Sequence, residues 1–170
     1  MTTIIDGSGS ATFATPLPIT QGGTNVGVLP AFDAYLSADQ VVTSGTSTKI
    51  QLNIKVFDIT NAFDAVTNYR FQPTVAGYYQ LNCRFRGGGS TGTTVSVMEI
   101  NKNGALLQRV TENNILSSNT GSALIFMNGT TDYLEFFATV VGTGTITFAS
   151  AGSSAGIYGP RVSAFLARAA

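Results

Sequence analysis

Tyr78-Tyr79-Gln80-Leu81-Asn82-Cys83-Arg84-Phe85-Arg86 is the stretch that decides the fold class. Side chains along a strand point alternately to its two faces, so Tyr79, Leu81, Cys83 and Phe85 share one face. Tyr78, Gln80, Asn82, Arg84 and Arg86 share the other. The pattern predicts a half-buried antiparallel strand, with Cys83 packed as a small core residue rather than exposed as a reactive thiol.

Outward from this segment, strand-like runs cover residues 50–57, 94–100, 105–111, 122–127, 133–141, 145–148 and 162–167, while helical periodicity is hard to find. Asn103-Gly104, between Ile100 and Leu106, is a hairpin signal, because both residues accept the positive φ of a two-residue primed turn. Gly87-Gly88-Gly89, Gly142-Thr143-Gly144 and residues 149–159 lack side chains to pack and read as loops. Eight or more strands with such turns predict an all-β antiparallel jelly-roll sandwich.

Composition narrows the function. The 170 residues make one domain's worth of chain, and 9 basic and 9 acidic side chains cancel. With 11% charged residues against 44% hydrophobic, neither a disordered tail nor a basic nucleic-acid footprint fits, so no nucleic-acid partner is expected. The absence of histidine removes the usual general base and the commonest transition-metal ligand. A single cysteine closes no intrachain disulfide and supplies no thiolate cluster. Gly (19 residues) and 37 Ser and Thr interrupt the apolar positions, so no run approaches the roughly 18 residues of a membrane helix, and no membrane insertion is expected. Met1-Thr2-Thr3-Ile4-Ile5-Asp6 lacks the basic flank and apolar core of a secretory signal, which predicts release by a route such as lysis.

The nine carboxylates are Asp6, Asp33, Asp39, Asp58, Asp64, Glu99, Glu112, Asp132 and Glu135. A glycosidase needs two at a defined separation, and none of these forms a dense motif. Asp132 and Glu135 fall on opposite faces if they share a strand. Asp58 and Asp64 flank a turn and read as turn caps rather than cation ligands. Asn128-Gly129-Thr130 satisfies the glycosylation triplet but reads as a turn. Gly87-Gly88-Gly89 lacks the Lys and the helix of a phosphate-cradling loop. No catalytic residue, metal or cofactor is expected. Arg84 and Arg86 are candidates for gripping an anionic sugar or a neighbouring subunit, against the plainer reading of solvated arginines. In residues 133–141, Leu134, Phe136 and Ala138 form one apolar face, and Tyr133, Phe137 and Thr139 surround Glu135 on the other. A second apolar face predicts a trimer interface at Tyr133, Glu135 and Phe137, unless the same chain covers it.

The first 29 residues mix Gly, Pro and small polar residues around isolated apolar anchors. They cannot bury enough surface to fold alone and read as an extended docking arm, residues 1–29, ahead of a head domain, residues 30–170. Ile4, Ile5, Phe13, Leu17, Pro18 and Ile19 are its expected contacts.

Read in order, Phe57-Asp58, Phe63-Asp64, Tyr69-Arg70-Phe71, Pro73 and Gly77-Tyr78-Tyr79 match the signature of the complement first-component-q head. Pro30-Ala31-Phe32-Asp33-Ala34, residues 96–107, Asp132-Tyr133-Leu134-Glu135-Phe136 and Ser163-Ala164-Phe165-Leu166 fall where that family places its other strands. From Pro30 onward the chain thus resembles a complement-q-type head, a member of the tumour-necrosis-factor-like jelly rolls. Pro16-Leu17-Pro18-Ile19-Thr20-Gln21-Gly22-Gly23-Thr24 is similar to the linkers upstream of trimeric tips in bacteriophage fibre proteins. Together the resemblances imply a non-catalytic homotrimer on a virion surface, assembled in the host cytoplasm, with an arm at one end and variable loops at the other. Capsid decoration protein or short fibre is the leading role, with other virion proteins as partners. A tail-fibre tip adhesin for a host-surface glycan or protein is the alternative, ahead of a glycan-processing enzyme and a secreted signalling ligand. Recognition residues are expected on the Gly- and Ser-rich loops, at Arg86, Ser90, Thr91, Asn114, Asn119, Thr143, Ser153 and Tyr158.

Overall fold

A computed structural model describes residues 3–5, 11–13, 28–113, 119–150 and 159–170. In chain order its strands are β1 (Thr3–Ile5), β2 (Ala11–Phe13), β3 (Ala31–Tyr35), β4 (Gln40–Val42), β5 (Thr48–Lys49), β6 (Ile54–Asp58) and β7 (Phe63–Asp64). Then come β8 (Arg70–Phe71), β9 (Gly77–Phe85), β10 (Gly87–Lys102), β11 (Ala105–Asn113), β12 (Asn119–Met127), β13 (Leu134–Phe148) and β14 (Arg161–Ala169). Two antiparallel sheets face each other. One runs β12-β9-β14-β3-β6, and the other runs β11-β10-β13-β8-β7 with β4 and β5 also paired to β13. Among the described residues β1 and β2 pair with each other alone, Thr3 opposite Phe13, so part of the arm is a short ladder rather than fully extended chain.

The alternation in β9 is realised residue for residue. Tyr79, Leu81, Cys83 and Phe85 are buried, while Tyr78 and Asn82 are exposed. The spaced aromatic residues form one continuous stack between the sheets: the Phe32 ring lies 4.7 Å from both Phe63 and Phe71, and Phe71 meets Tyr79 edge-on at 5.3 Å. Each such ring buries enough area to stabilise the fold by about 1.5–3 kcal/mol. Asn103 (φ 55°) and Gly104 (φ 80°) make the expected primed turn between Lys102 and Ala105.

Three expectations are corrected. Residues 50–53 are not strand. There the chain leaves β13 after β5 and crosses to β3, dropping Ile50 and Leu52 into the core on the way. Gly87-Gly88-Gly89 and Gly142-Thr143-Gly144 belong to β10 and β13, with Gly87 opposite Phe148 and Thr91 opposite Thr143, because ladder pairing needs only backbone. Glycine at 87 also permits close approach, since a Cβ there would stand 2.9 Å from Val140 Cγ2. Finally, the runs expected at residues 133–141 and 145–148 merge into one strand, β13, which starts at Leu134.

Turn carboxylates hold the loops. Asp58 accepts from the Ala62 and Phe63 amides, and Asp64 from those of Val66, Thr67 and Asn68. The Thr67 and Val66 amides hold the Asp64 carboxyl well below the usual range. Burial pushes Asp132 the other way, but hydrogen bonds from Asn103, Lys102 and the Asn128 amide outweigh it and leave its pKa lowered. Burial pushes the Cys83 thiol and the Tyr79 hydroxyl each up to about 12. Below about pH 4 the unfolded chain takes up protons at positions 64 and 132 before the folded one does, so stability falls as pH drops. Above about pH 9 the unfolded chain releases the Cys83 proton, and later that of Tyr79, before the folded one, so stability falls again. With no histidine, the urea midpoint is expected to stay flat between about pH 5 and 8 and to fall on both sides.

Candidate functional site

The outward face of the five-stranded sheet is an uncommitted surface among the described residues. Register sets out its rows. Phe126 stands opposite Tyr78; Leu124, Gln80, Phe165 and Ala31 form the next row; Ser122, Asn82, Ser163 and Asp33 the third; Thr120, Arg84, Arg161 and Tyr35 the fourth. Apolar side chains stand open in the first two rows, beside Gln80 and the exposed Arg168 opposite Tyr78: Leu124 is 59% exposed, Phe165 47%, Tyr78 46% and Phe126 41%. The Tyr78 and Phe126 rings pack edge-on at 5.4 Å. Leu106 and Leu107 on β11 extend this patch around the β12 edge, where Leu107, Leu124 and Phe126 line a groove. At the opposite edge of the sheet, β6 exposes Ile54, Val56 and Phe57. Contiguous apolar surface of this kind marks an interaction site.

The polar rows are organised by charge. Arg161 donates through Nε to Asp33 Oδ1 (2.7 Å) and through Nη2 to Asp33 Oδ2 (2.6 Å), a bidentate pair. Arg84 Nε donates to the Gly159 carbonyl at 3.2 Å. Burial and the neighbouring Arg161 charge lower the pKa of Arg84, with Asp33 acting in the opposite sense.

The face expected as a trimer interface at Tyr133, Glu135 and Phe137 is in part occupied within the single chain, with Tyr133 and Phe137 half-buried and Glu135 buried. That face of β13 is covered by its own chain: Lys49 pairs with Glu135, which is 8% exposed, and its ammonium lies 5.9 Å from the Phe137 ring. Arg70 sits 4.5 Å from the Tyr133 ring centroid. Glu99, on the same face, accepts from Arg109 and Ser47. Two buried carboxylates therefore share this face, each neutralised by its own cation rather than set as an acid and base pair. Asp132 lies off the strand, in the turn held by Asn128, and bridges Lys102 and Asn103. Among the described residues no three Cys, Asp or Glu side chains gather to hold a metal ion.

The strands give the head two poles. The Leu166 amide bonds the Pro30 carbonyl and that of Ala170 bonds Ala76, which places the chain's entry into β3 beside Gly77 and Met127. At the other pole, the Ala149 amide donates to the Arg86 carbonyl and Asn119 Nδ2 to Ser96 Oγ, which brings together the roots of residues 114–118 and 151–158. Exposed Arg86 and Thr143 lie at this second pole. Asn119 is corrected: at 1% exposure it is a clamp between the two sheets, not a contact for an external ligand. Ser90 and Thr91 fall in β10, and Ile4, Ile5 and Phe13 in β1 and β2. Leu17, Pro18, Ile19, Asn114, Ser153 and Tyr158 lie outside the described residues.

No protein-family model matches the sequence, and no curated protein does. Among solved structures the chain is similar to murine APRIL, with a TM-score of 0.54 at 12% identity over 82% of this chain and 99% of that one. It is similar as well to Eiger TNF from S. frugiperda, with a TM-score of 0.52 at 11% identity over 84% and 94%. The likeness is one of fold: an all-β, antiparallel, tumour-necrosis-factor-like jelly roll.

Proposed function

We propose that this chain is a non-enzymatic structural protein of a phage particle, a homotrimeric surface knob docked by residues 1–29, assembled in the host cytoplasm and serving as capsid decoration or as a short fibre. The observation that carries the assembly is the open apolar face of the five-stranded sheet. Its two patches, Tyr78, Leu124, Phe126 and Phe165 on one side and Ile54, Val56 and Phe57 on the other, lie toward opposite edges. Different patches on neighbouring copies meet head to tail, and such contacts close into a ring when the rotation allows. The tumour-necrosis-factor-like fold favours three copies.

The particle role is supported by the Pro-Leu-Pro and Gly-Gly-Thr linker and by the two poles. The arm leads into β3 at one pole, while Arg86, Thr143 and the roots of residues 114–118 and 151–158 stand at the other. That polarity suits a knob with one end on the particle and one end outward, and it leaves the tip-adhesin role open to the outward pole. Deleting residues 1–29 tests docking. The expected result is a folded head of unchanged assembly state that no longer joins the particle. Normal occupancy of the truncated head on particles would overturn docking by the arm.

A further inference from the structure

We propose that the concavity at the Arg84 end of the five-stranded sheet binds a ligand through an oxyanion, a phosphate or carboxylate group gripped by Arg84 and Arg161. The concavity measures about 490 Å³ and is lined by Asn82, Arg84, Thr120, Ser122, Arg161 and Ser163. Every one of these six side chains carries a hydrogen-bond donor, and none is a carboxylate. Register makes the arrangement regular. Arg84 stands between Thr120 and Arg161 across three strands, and Asn82 between Ser122 and Ser163, so two guanidinium groups share one wall with three hydroxyls and an amide.

The arginines are positioned rather than loose. Arg161 spends Nε and one Nη2 proton on Asp33, which is 8% exposed and fixes the plane of the fork, so the Nη1 donors remain in a set direction. Arg84 is oriented by its bond to the Gly159 carbonyl. The Arg161 charge disfavours that of Arg84, with Asp33 acting in the opposite sense, and a bound anion adds to the relief. A bare oxyanion would leave much of the concavity unfilled, which favours a sugar ring bearing the charged group over a free ion. The site lies six residues along β9 from Tyr78, about 20 Å away, and is complete within one chain. It therefore needs no residue from a second copy.

The test is isothermal titration of the full chain, at constant ionic strength, with inorganic phosphate, with glucuronate and with glucose. One saturable site per chain is expected for glucuronate, for phosphate or for both, and none for glucose. Binding to glucuronate alone assigns the site to acidic sugars, and binding to phosphate alone to phosphate groups. Arg84→Gln is expected to weaken binding about tenfold or more, as for loss of a charge-assisted hydrogen bond. Ser122→Glu, at an exposed position of β12, sets a carboxylate in the concavity and is expected to abolish binding even if Arg84→Gln folds poorly. Lys55→Gln, exposed and outside the lining, is expected to leave binding unchanged. Failure of both anions to bind, equal binding of glucose, or binding that survives both Arg84→Gln and Ser122→Glu would overturn the proposal.

Discussion

Phe165→Asp combined with Leu124→Asp is expected to yield a folded chain that sediments as a 17.7 kDa monomer. Both side chains are about half exposed or more in the single chain, so neither carboxylate disturbs the core, and circular dichroism should match the parent. In the proposed trimer the same positions would be desolvated. Burying each apolar side chain contributes about 1.5–3 kcal/mol, and burying an unpaired carboxylate in its place costs several kcal/mol more. Two such changes weaken association by about a thousandfold or more, enough to hold the protein as monomer at micromolar concentration. Glu135→Lys behaves differently. Its partner Lys49 belongs to the same chain, so the new like charge lowers the melting temperature instead of selectively lowering the mass. A Phe165 and Leu124 double variant that keeps the parent's mass would remove this face from the assembly.

Gly77→Ala is expected to be severely destabilising. Gly77 has φ 156°, and a Cβ there would lie 2.3 Å from the Arg168 carbonyl oxygen and 2.7 Å from Leu166 Cδ1. The oxygen belongs to the backbone of β14, which pairs with β9 on that very row, Ala169 opposite Gly77, so relief requires breaking the ladder between the two strands. A loss of about 4 kcal/mol or more is expected, against a total of about 5–15 kcal/mol for a domain, and little soluble protein should remain. Gly45→Ala is the control. Gly45 also has positive φ (76°) but open space around its Cβ, so the expected loss is about 1–2 kcal/mol, read as a modest shift in urea midpoint.

The sequence announced the strands better than their partners. Alternation in β9 is unambiguous because one face is core and the other is not, and Asn103-Gly104 and the caps at Asp58 and Asp64 are local chemistry that needs no tertiary knowledge. The Gly-rich segments misled because missing side chains say nothing about whether the backbone pairs. Alternation also tells which residues share a face, but not what covers it. Phe137 and Tyr133 looked uncovered because Lys49 and Arg70, which lie over them, are 88 and 63 positions away in the chain. The signal for the apolar face was present in β12, where Ala123-Leu124-Ile125-Phe126-Met127 is apolar on both sides of the strand. The Arg84 and Arg161 concavity was half legible, since Arg84 stood out as a possible anion grip while Arg161 enters only through the β9 and β14 pairing.

Sedimentation equilibrium of the unmodified full chain at micromolar concentration tests the trimer most directly. The expected mass is three times 17.7 kDa, unchanged on tenfold dilution; a mass of 17.7 kDa would contradict the trimer and with it the role assigned to the open face of the five-stranded sheet.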